Sequence, residues 1–396
     1  MIDVDTALAQ LLAGVEPLCS ETLSIVSAHG RILAQPIDAA LTQPPFAASA
    51  MDGYAVRWDD LPGPWRVVGE AAAGRGFDGI AGIGTAVRIF TGAPMPAGAD
   101  SVVVQEDMVC DGDTATLTGN GPPNRGAHVR AAGQDFAAGD RVAARGDALT
   151  PARLGLLAAA GHGAAPVVRR PRVTIIATGD ELVPPGTLPG IAQIVSANSV
   201  MIGALFTTAG ALVSDPGIIG DDRAALAAAF RAADADVIVT IGGASVGDHD
   251  LVVPVLRSLG ATIDFWKVAM RPGKPMFAGT LGETRIIGLP GNPVSAFVAA
   301  LLFGVPLLSR LGGRNHRLPI ETLRLAGPLS ANGDRRDHLR ARRTAAGALA
   351  FGSQDSARLG ILADADLLIV REPGAAAAIT GETVVCIALD MFLPVS

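Results

Sequence analysis

DVIVTIGGASVGDHD (236–250) and GLPGNPVSAF (288–297) each run from an apolar stretch into a glycine-rich turn and then toward a helix. Between them lies WKVAMRPGKP (266–275), which carries Lys267, Arg271 and Lys274. Asp248 and Asp250 stand just upstream. Strand, glycine turn and helix in that order let backbone N–H groups converge on an anion at the carboxyl end of a sheet. The pattern predicts an α/β pocket for a phosphorylated ligand.

The same alternation spreads outward. RVTIIATGDEL, NSVMIGALFTTAG, DDRAALAAAFRAAD, DVIVTIGG, HDLVVPVLRSLG, RIIGLPG and NPVSAFVAALLFG alternate strand and helix across 172–310. A mostly parallel sheet with helices on both faces follows, a three-layer α/β domain over 172–316. Asn198 and either Asp221 or Asp222 are candidate helix caps. Upstream, 46–140 is rich in short strand signals separated by turns and reads as a β-rich insertion. It divides 1–45 from 141–171, which read together as a helical and linker domain. Within that domain a helix is expected over 3–15 and another over 22–27. A third should start at Pro151 behind Thr150, and 166–171 reads as a linker. Residues 317–396 lose the helical period and read as a small β-barrel or sandwich.

Composition bounds the function. The 396 residues are 49% hydrophobic and 17% charged, a globular balance with room for several domains. A net charge of -7 lacks the basic excess of a nucleic-acid binder. Cys19, Cys110 and Cys386 have no metal-type spacing and fit a reduced cytoplasmic setting. The N-terminal phrase MIDVDTALAQLLAGVEPL is acidic where a signal peptide is basic. The apolar run 296–308 is expected to fall short of a membrane span, since it contains Gly304 and Pro306.

Several residues are candidates for chemistry. Gly242, Gly243 and Gly247 would turn N–H groups toward an anion, and Ser245 would add a hydroxyl; a tight turn with Asp250 as a cap is the plain alternative. Carboxylates beside a phosphate cradle imply an intervening cation, and Mg²⁺ suits Asp248 and Asp250. Asp180 and Glu181 repeat that arrangement after the first strand, with turn capping as the alternative. Lys267, Arg271 and Lys274 sit among Pro272, Gly273 and Pro275, a stiff cationic loop that is either an oxyanion site or a solvated face. Pro290, Gly291, Asn292 and Pro293 form a helix-start turn, or a shaped wall for a flat heterocycle. Asp52, Thr91 and Asp135 lie in turns of the insertion, and spacing alone does not join them to the glycine loops. His162, His249 and His316 show no metal spacing, and neither a GxSxG elbow nor a Walker A motif is present.

SAMDGYAVR (49–57), IFTGAPMPAGAD (89–100), ATGDEL (177–182), GGASVGDHD (242–250), AMRPGKP (269–275) and GLPGNPVSAF (288–297) together resemble the MoeA-type molybdopterin molybdenumtransferase family. The C-terminal domain of gephyrin is a relative of that family. The resemblance covers essentially the whole chain and implies a four-domain homodimer with a shared active site. It implies a transferase that takes adenylylated molybdopterin and molybdate, inserts the metal at the dithiolene and releases AMP with a divalent cation, usually Mg²⁺. A molybdopterin adenylyltransferase is the implied upstream partner; no nucleic acid or membrane is expected.

Residue by residue, the resemblance makes Asp52, Thr91 and Asp135 active-site groups offered to the partner subunit. It makes Glu181, Asp221 and Asp250 the catalytic acidic cluster that holds the cation and pyrophosphate. Lys267 and Arg271 would bind molybdate or phosphate, Pro290 and Pro293 would shape the pterin wall, and Ser356 would come from the last domain. Gly242, Gly243, Ser245, Gly247, Asp248, Lys274, Gly291 and Asn292 complete the expected substrate-binding set. Two departures stand out: Arg271 where relatives often have Lys, and Asp355 where Gly is common. The competing readings are an adenylyltransferase sharing the sheet fold and a gephyrin-like scaffold.

Overall fold

The computed structural model describes residues 1–243, 251–315 and 317–389, so the expectations for Ser245, Gly247, Asp248, His249, Asp250 and His316 lie outside the described residues. The chain folds as two compact units: Met1–Glu21 with Val168–Ser396, and Thr22–Val167.

In the first unit, the described residues form a seven-stranded sheet in the order Leu212–Ser214, Arg172–Thr178, Val237–Ile241, Thr284–Leu289, Phe277–Leu281, Thr262–Trp266, with Ile218–Ile219 also paired to Arg172–Thr178. Its centre is parallel. The strands Phe277–Leu281 and Thr262–Trp266 add an antiparallel edge, so the sheet is mixed. Val237–Ile241 is buried at every position, as a strand covered on both faces should be. Alternate residues feed two cores. Val173, Ile175, Val237 and Val239 pack with Phe206, Phe303 and Leu11. Ile176 and Ile238 face Leu226, Phe230, Leu256 and Phe277 on the other side.

The helix Val4–Leu12 belongs to this unit, contrary to its expected place beside 141–171. Asp3 caps it by accepting from Thr6 N–H at 2.8 Å. Its buried stripe of Val4, Ala7 and Leu11 completes the first core. The helical run Pro293–Leu311 spans 19 residues, longer than expected, and meets the length and hydropathy of a membrane span. It is 89% buried within the fold and serves as a core helix. Gly304 and Pro306 do not break it, because a π-turn over Ala300–Gly304 carries it into Val305–Leu311.

The C-terminal residues build a second sheet, ordered Met270–Arg271, Arg336–Thr344, Leu367–Arg371, Thr383–Ala388, Ile320–Arg324. Gly347–Ala350 pairs with Arg336–Thr344, and a bridge joins Leu325 to Ala348. The short strand Met270–Arg271 thereby stitches the cationic loop onto this sheet.

The other unit holds a six-stranded sheet, ordered Ser101–Val104, Gly53–Val56, Thr85–Ile89, Trp65–Ala71, Thr114–Leu117, Met108–Asp111. The helix Pro151–Ala159 starts as expected, with Thr150 Oγ1 accepting from Arg153 N–H at 3.3 Å. Two expectations fail nearby. Ser20–Ser24 is a strand and Ile25–Ser27 a single 3₁₀ turn, not a helix. Leu23 and Ile25 pack against Leu33, Leu149 and Leu157, and this tertiary burial overrides a weak helical period. The expected linker 166–171 is also structured, because Ala164–Val168 is a strand.

Candidate active site

At the carboxyl ends of Arg172–Thr178, Val237–Ile241 and Thr284–Leu289 lies a cleft of about 790 Å³. Its walls include Glu181, Asp221, Gly242, Gly243, Pro290, Gly291, Asn292 and Pro293, eight of the residues expected from sequence. These three strands are parallel, which explains the convergence: all end on one side and each hands over to a loop.

Local chemistry shapes each wall. Gly242 has φ +92°, and a Cβ there would come within 2.6 Å of the Thr178 carbonyl oxygen, so only glycine lets the two strand ends approach. Thr178 is buried and its Oγ1 donates to Asp221 Oδ1 at 2.9 Å. Asp221 N–H donates to Asp180 Oδ1 at 3.0 Å. Asp180 therefore pins the loop, and among the described residues Glu181 and Asp221 are the carboxylates that line the cleft. Capping of the next helix falls to Asp222, which accepts from Ala225 N–H at 2.7 Å and leaves Asp221 to the cleft.

The opposite wall is held by amides. Asn198 is not a cap; its Nδ2 donates to the Gly291 carbonyl at 2.6 Å. Asn292 occupies the cap position of Pro293–Ala299 without a capping hydrogen bond, and its Nδ2 donates instead to Ser356 Oγ at 3.2 Å. Val294 N–H donates to the Ser356 carbonyl at 3.1 Å, and Ala357 lines the cleft, so Ser356 stands directly behind the wall. Asp355 is exposed and accepts from Ala357 N–H within its own loop at 3.0 Å.

The cationic loop is placed differently from expectation. Pro275 lines the cleft, whereas Lys267, Arg271 and Lys274 do not. Arg271 is ion-paired with the buried Asp337. Lys267 has φ +71°, an uncommon value for a residue with a side chain, held by strand-like hydrogen bonds to Met276 and Ile2.

In the other unit, Asp52 and Thr91 do meet. Asp52 Oδ1 accepts from Thr91 N–H at 2.7 Å and from Thr91 Oγ1 at 2.8 Å. The Thr91 N–H and hydroxyl, with help from the Arg88 charge, hold the Asp52 carboxyl below the usual carboxylate range. Arg88 was missed by sequence reasoning. Its guanidinium donates to Gly53 O at 2.9 Å and to Gln105 Oε1 at 2.7 Å, and lies over the rings of Tyr54 and Phe90. The signal was its place in the strand Thr85–Ile89, just before Phe90 and Thr91. Asp135 is exposed; its backbone N–H donates to Gln43 O at 3.0 Å, and no described hydrogen bond joins it to Asp52 and Thr91.

Residues 2–161 match the MoeA N-terminal region (domain I and II), 174–310 a probable molybdopterin binding domain, and 322–389 the MoeA C-terminal region (domain IV). The molybdopterin molybdenumtransferase of Haemophilus influenzae is 38% identical over 79% of this chain and 78% of its own. Molybdopterin molybdenumtransferase 2 of Mycobacterium tuberculosis is 37% identical over 91% of this chain and 92% of its own. The chain belongs to the MoeA family of molybdopterin molybdenumtransferases. Its multidomain MoeA fold is also seen in a crystal structure of the MoeA protein from Pyrococcus horikoshii, with a TM-score of 0.87 and 28% identity over the full length of both chains. A crystal structure of a MoeA protein from Pyrococcus horikoshii OT3 gives a TM-score of 0.82 at 24% identity over 98% of this chain.

Among the described residues of this MoeA chain, no group of three or more His, Cys, Asp or Glu could hold a metal ion by itself. Mg²⁺ asks for less: one or two carboxylates, with phosphate oxygens and water completing its shell. Glu181 and Asp221 on the cleft wall meet that requirement.

Proposed function

We propose that this chain is a molybdenum insertase, which transfers molybdate to the dithiolene of adenylylated molybdopterin and releases AMP. The observation that carries the reading is the cleft itself. A glycine turn at Gly242 and Gly243, two carboxylates at Glu181 and Asp221, and a wall at Pro290–Pro293 face one space. Backbone N–H groups suit the phosphates, and the prolines suit a flat ring.

Cleaving a phosphoanhydride needs charge neutralisation more than covalent help. Glu181 and Asp221 would hold a divalent cation such as Mg²⁺, with Asp250 expected as a third ligand. When bound, the cation neutralises the pyrophosphate oxygens. Thr178 keeps Asp221 turned to the cleft, and Asp180 fixes the backbone beneath it. Asn198 and Ser356 hold the two ends of the 290–293 wall in place. Lys267, Arg271 and Lys274 would draw in molybdate, and a molybdate oxygen or a water would attack the anhydride.

We further infer a cytoplasmic homodimer in which Asp52, Thr91 and Asp135 of one copy complete the cleft of the other. A molybdopterin adenylyltransferase would supply the substrate. In the finer fold reading, 172–316 is the three-layer molybdopterin-binding domain, 46–140 the β-rich insertion, and 317–396 a small β-barrel.

The test is direct. Purified protein is incubated with adenylylated molybdopterin, molybdate and Mg²⁺, and AMP and metal-loaded cofactor are followed. Molybdate-dependent AMP release is expected; its absence would sink the insertase. Transfer of AMP from ATP to molybdopterin would mark an adenylyltransferase instead. Mixing Asp52→Ala with Asp221→Ala subunits should restore turnover, and failure under proven subunit exchange would remove the shared site.

A further inference from the structure

We propose that Arg88 is a positioning residue for Asp52, acting on the reaction through that carboxylate and not by contact with the ligand. The inference rests on the reading of Asp52 as an active-site group given above.

Arg88 stands directly opposite Tyr54 where Thr85–Ile89 pairs with Gly53–Val56, the strand that starts one residue after Asp52. The chain is tightly packed at that start, since a Cβ on Gly53 would come within 2.0 Å of the Val103 carbonyl oxygen. The Gly53 carbonyl accepts from Arg88 Nη1 at 2.9 Å. Arg88 Nη2 donates to Gln105 Oε1 at 2.7 Å, and the Gln105 N–H donates to the Asp52 carbonyl at 3.0 Å. One guanidinium is thus linked to two consecutive carbonyls, to Gly53 directly and to Asp52 through Gln105.

The same group reaches the other side of the Asp52–Thr91 contact. It lies 4.8 Å from the ring centre of Phe90, the residue before Thr91, and 5.1 Å from that of Tyr54. Both Thr91 donors go to Asp52 Oδ1, and among the described residues Oδ2 has no donor. Oδ2 is therefore the oxygen that can meet a ligand, and the segments that aim it are those that Arg88 braces.

The charge of Arg88 is left to this task. Glu70 is its neighbour in the parallel register, but Glu70 Oε1 is ion-paired with Arg75 at 2.9 Å. Among the described residues Arg88 has no carboxylate partner of its own, and both described hydrogen bonds go to neutral oxygens. The Thr91 N–H and hydroxyl lower the Asp52 carboxyl most, and the Arg88 charge adds to them. A charged group serves a reaction only while its support holds it in place, and a planar fork supports two points at once.

The test is a double-variant cycle on the full chain, read as kcat for molybdate-dependent AMP release. Arg88→Met is expected to lower kcat by about tenfold, the worth of a charge-assisted hydrogen bond. In an Asp52→Ala background the same change should have almost no effect, because its route to the reaction is gone. An equal loss in both backgrounds would show a general structural role and overturn the proposal, as would an unchanged kcat in Arg88→Met alone. Carboxyl NMR reads the same link without turnover: the Asp52 titration should move up toward 3.8 in Arg88→Met, and an unmoved titration overturns the proposal. Should Arg88→Met not fold, Gln105→Ala decides, since Gln105 is exposed and its loss cuts only the outer contact. A fall in kcat of about threefold is expected there, confined to chains that keep Asp52, and no fall overturns the proposal. If Asp52→Ala turns over at the unaltered rate, the reading of Asp52 itself falls, and this inference with it.

Discussion

Two threonine–aspartate pairs, one in each unit, use the same contact for different ends. Thr178 Oγ1 reaches Asp221 at 2.9 Å, and Thr91 Oγ1 reaches Asp52 at 2.8 Å. Thr178 is buried at the end of a sheet strand, whereas Thr91 is exposed in a turn. Asp221 accepts one donor from Thr178 and lines a cleft. Asp52 accepts two donors from Thr91 on the same oxygen, with Arg88 and Gln105 bracing the backbone behind it. The first pair is positioned by a core and the second by a local network. A buried strand end can hold its aspartate with one bond because packing does the rest; an exposed turn needs several.

The comparison breaks most visibly in turnover. Asp221→Ala and Asp52→Ala should each lower molybdate-dependent AMP release by about 100-fold, the usual cost of losing a preorganised charged group. If Asp52→Ala is fully active, the exposed pair is a structural turn and the parallel ends there.

Next comes the glycine beside each pair. Gly242→Ala must accept φ +92° and a Cβ 2.6 Å from the Thr178 carbonyl oxygen. Gly92 has φ +82° but only the Ala73 methyl, at 4.0 Å, nearby. Both substitutions carry left-handed strain of about 1–3 kcal/mol, and Gly242→Ala should lie at or above the upper end. Urea unfolding of both variants checks this, and equal losses would contradict the tight strand-end packing.

Replacing the hydroxyls sharpens the contrast further. Thr178→Val should cost about 1 kcal/mol of stability, since the hydrogen bond of a buried hydroxyl is lost. Thr91→Val should stay within ~0.5 kcal/mol, as exposed substitutions do. Denaturant midpoints read both values.

The smallest effect is a titration. The folded pKa of Asp52 lies below its ordinary value, so its contribution to stability is complete above 3.8 and is lost only as pH falls through the lower folded pKa. Carboxyl NMR shifts should show Thr91→Val moving Asp52 back toward 3.8; an unmoved Asp52 would mean that the backbone N–H alone sets its charge.

Much of the α/β unit was legible in the chain, because a strand buried on both faces must be an unbroken apolar run, as in DVIVTIGG, and must end in small residues where the next loop starts. Gly242, Gly291 and Pro293 could be read for the same reason: a tight turn and a helix start restrict the residue types that fit. Helix 22–27 could not, since Leu23 and Ile25 fit either period until Leu33, Leu149 and Leu157 supply a core for a strand.

Neighbours in the chain set the alternation of strand and helix, the glycine turns and the phrases that mark the family, so these could be read without a structure. Tertiary structure alone decided that Asp222 caps a helix while Asp221 faces the cleft, that Asn198 holds Gly291, and that Arg271 answers to Asp337. Those partners lie from three to 93 residues away. Local propensity cannot see a hydrogen bond whose other half arrives only when the sheet closes.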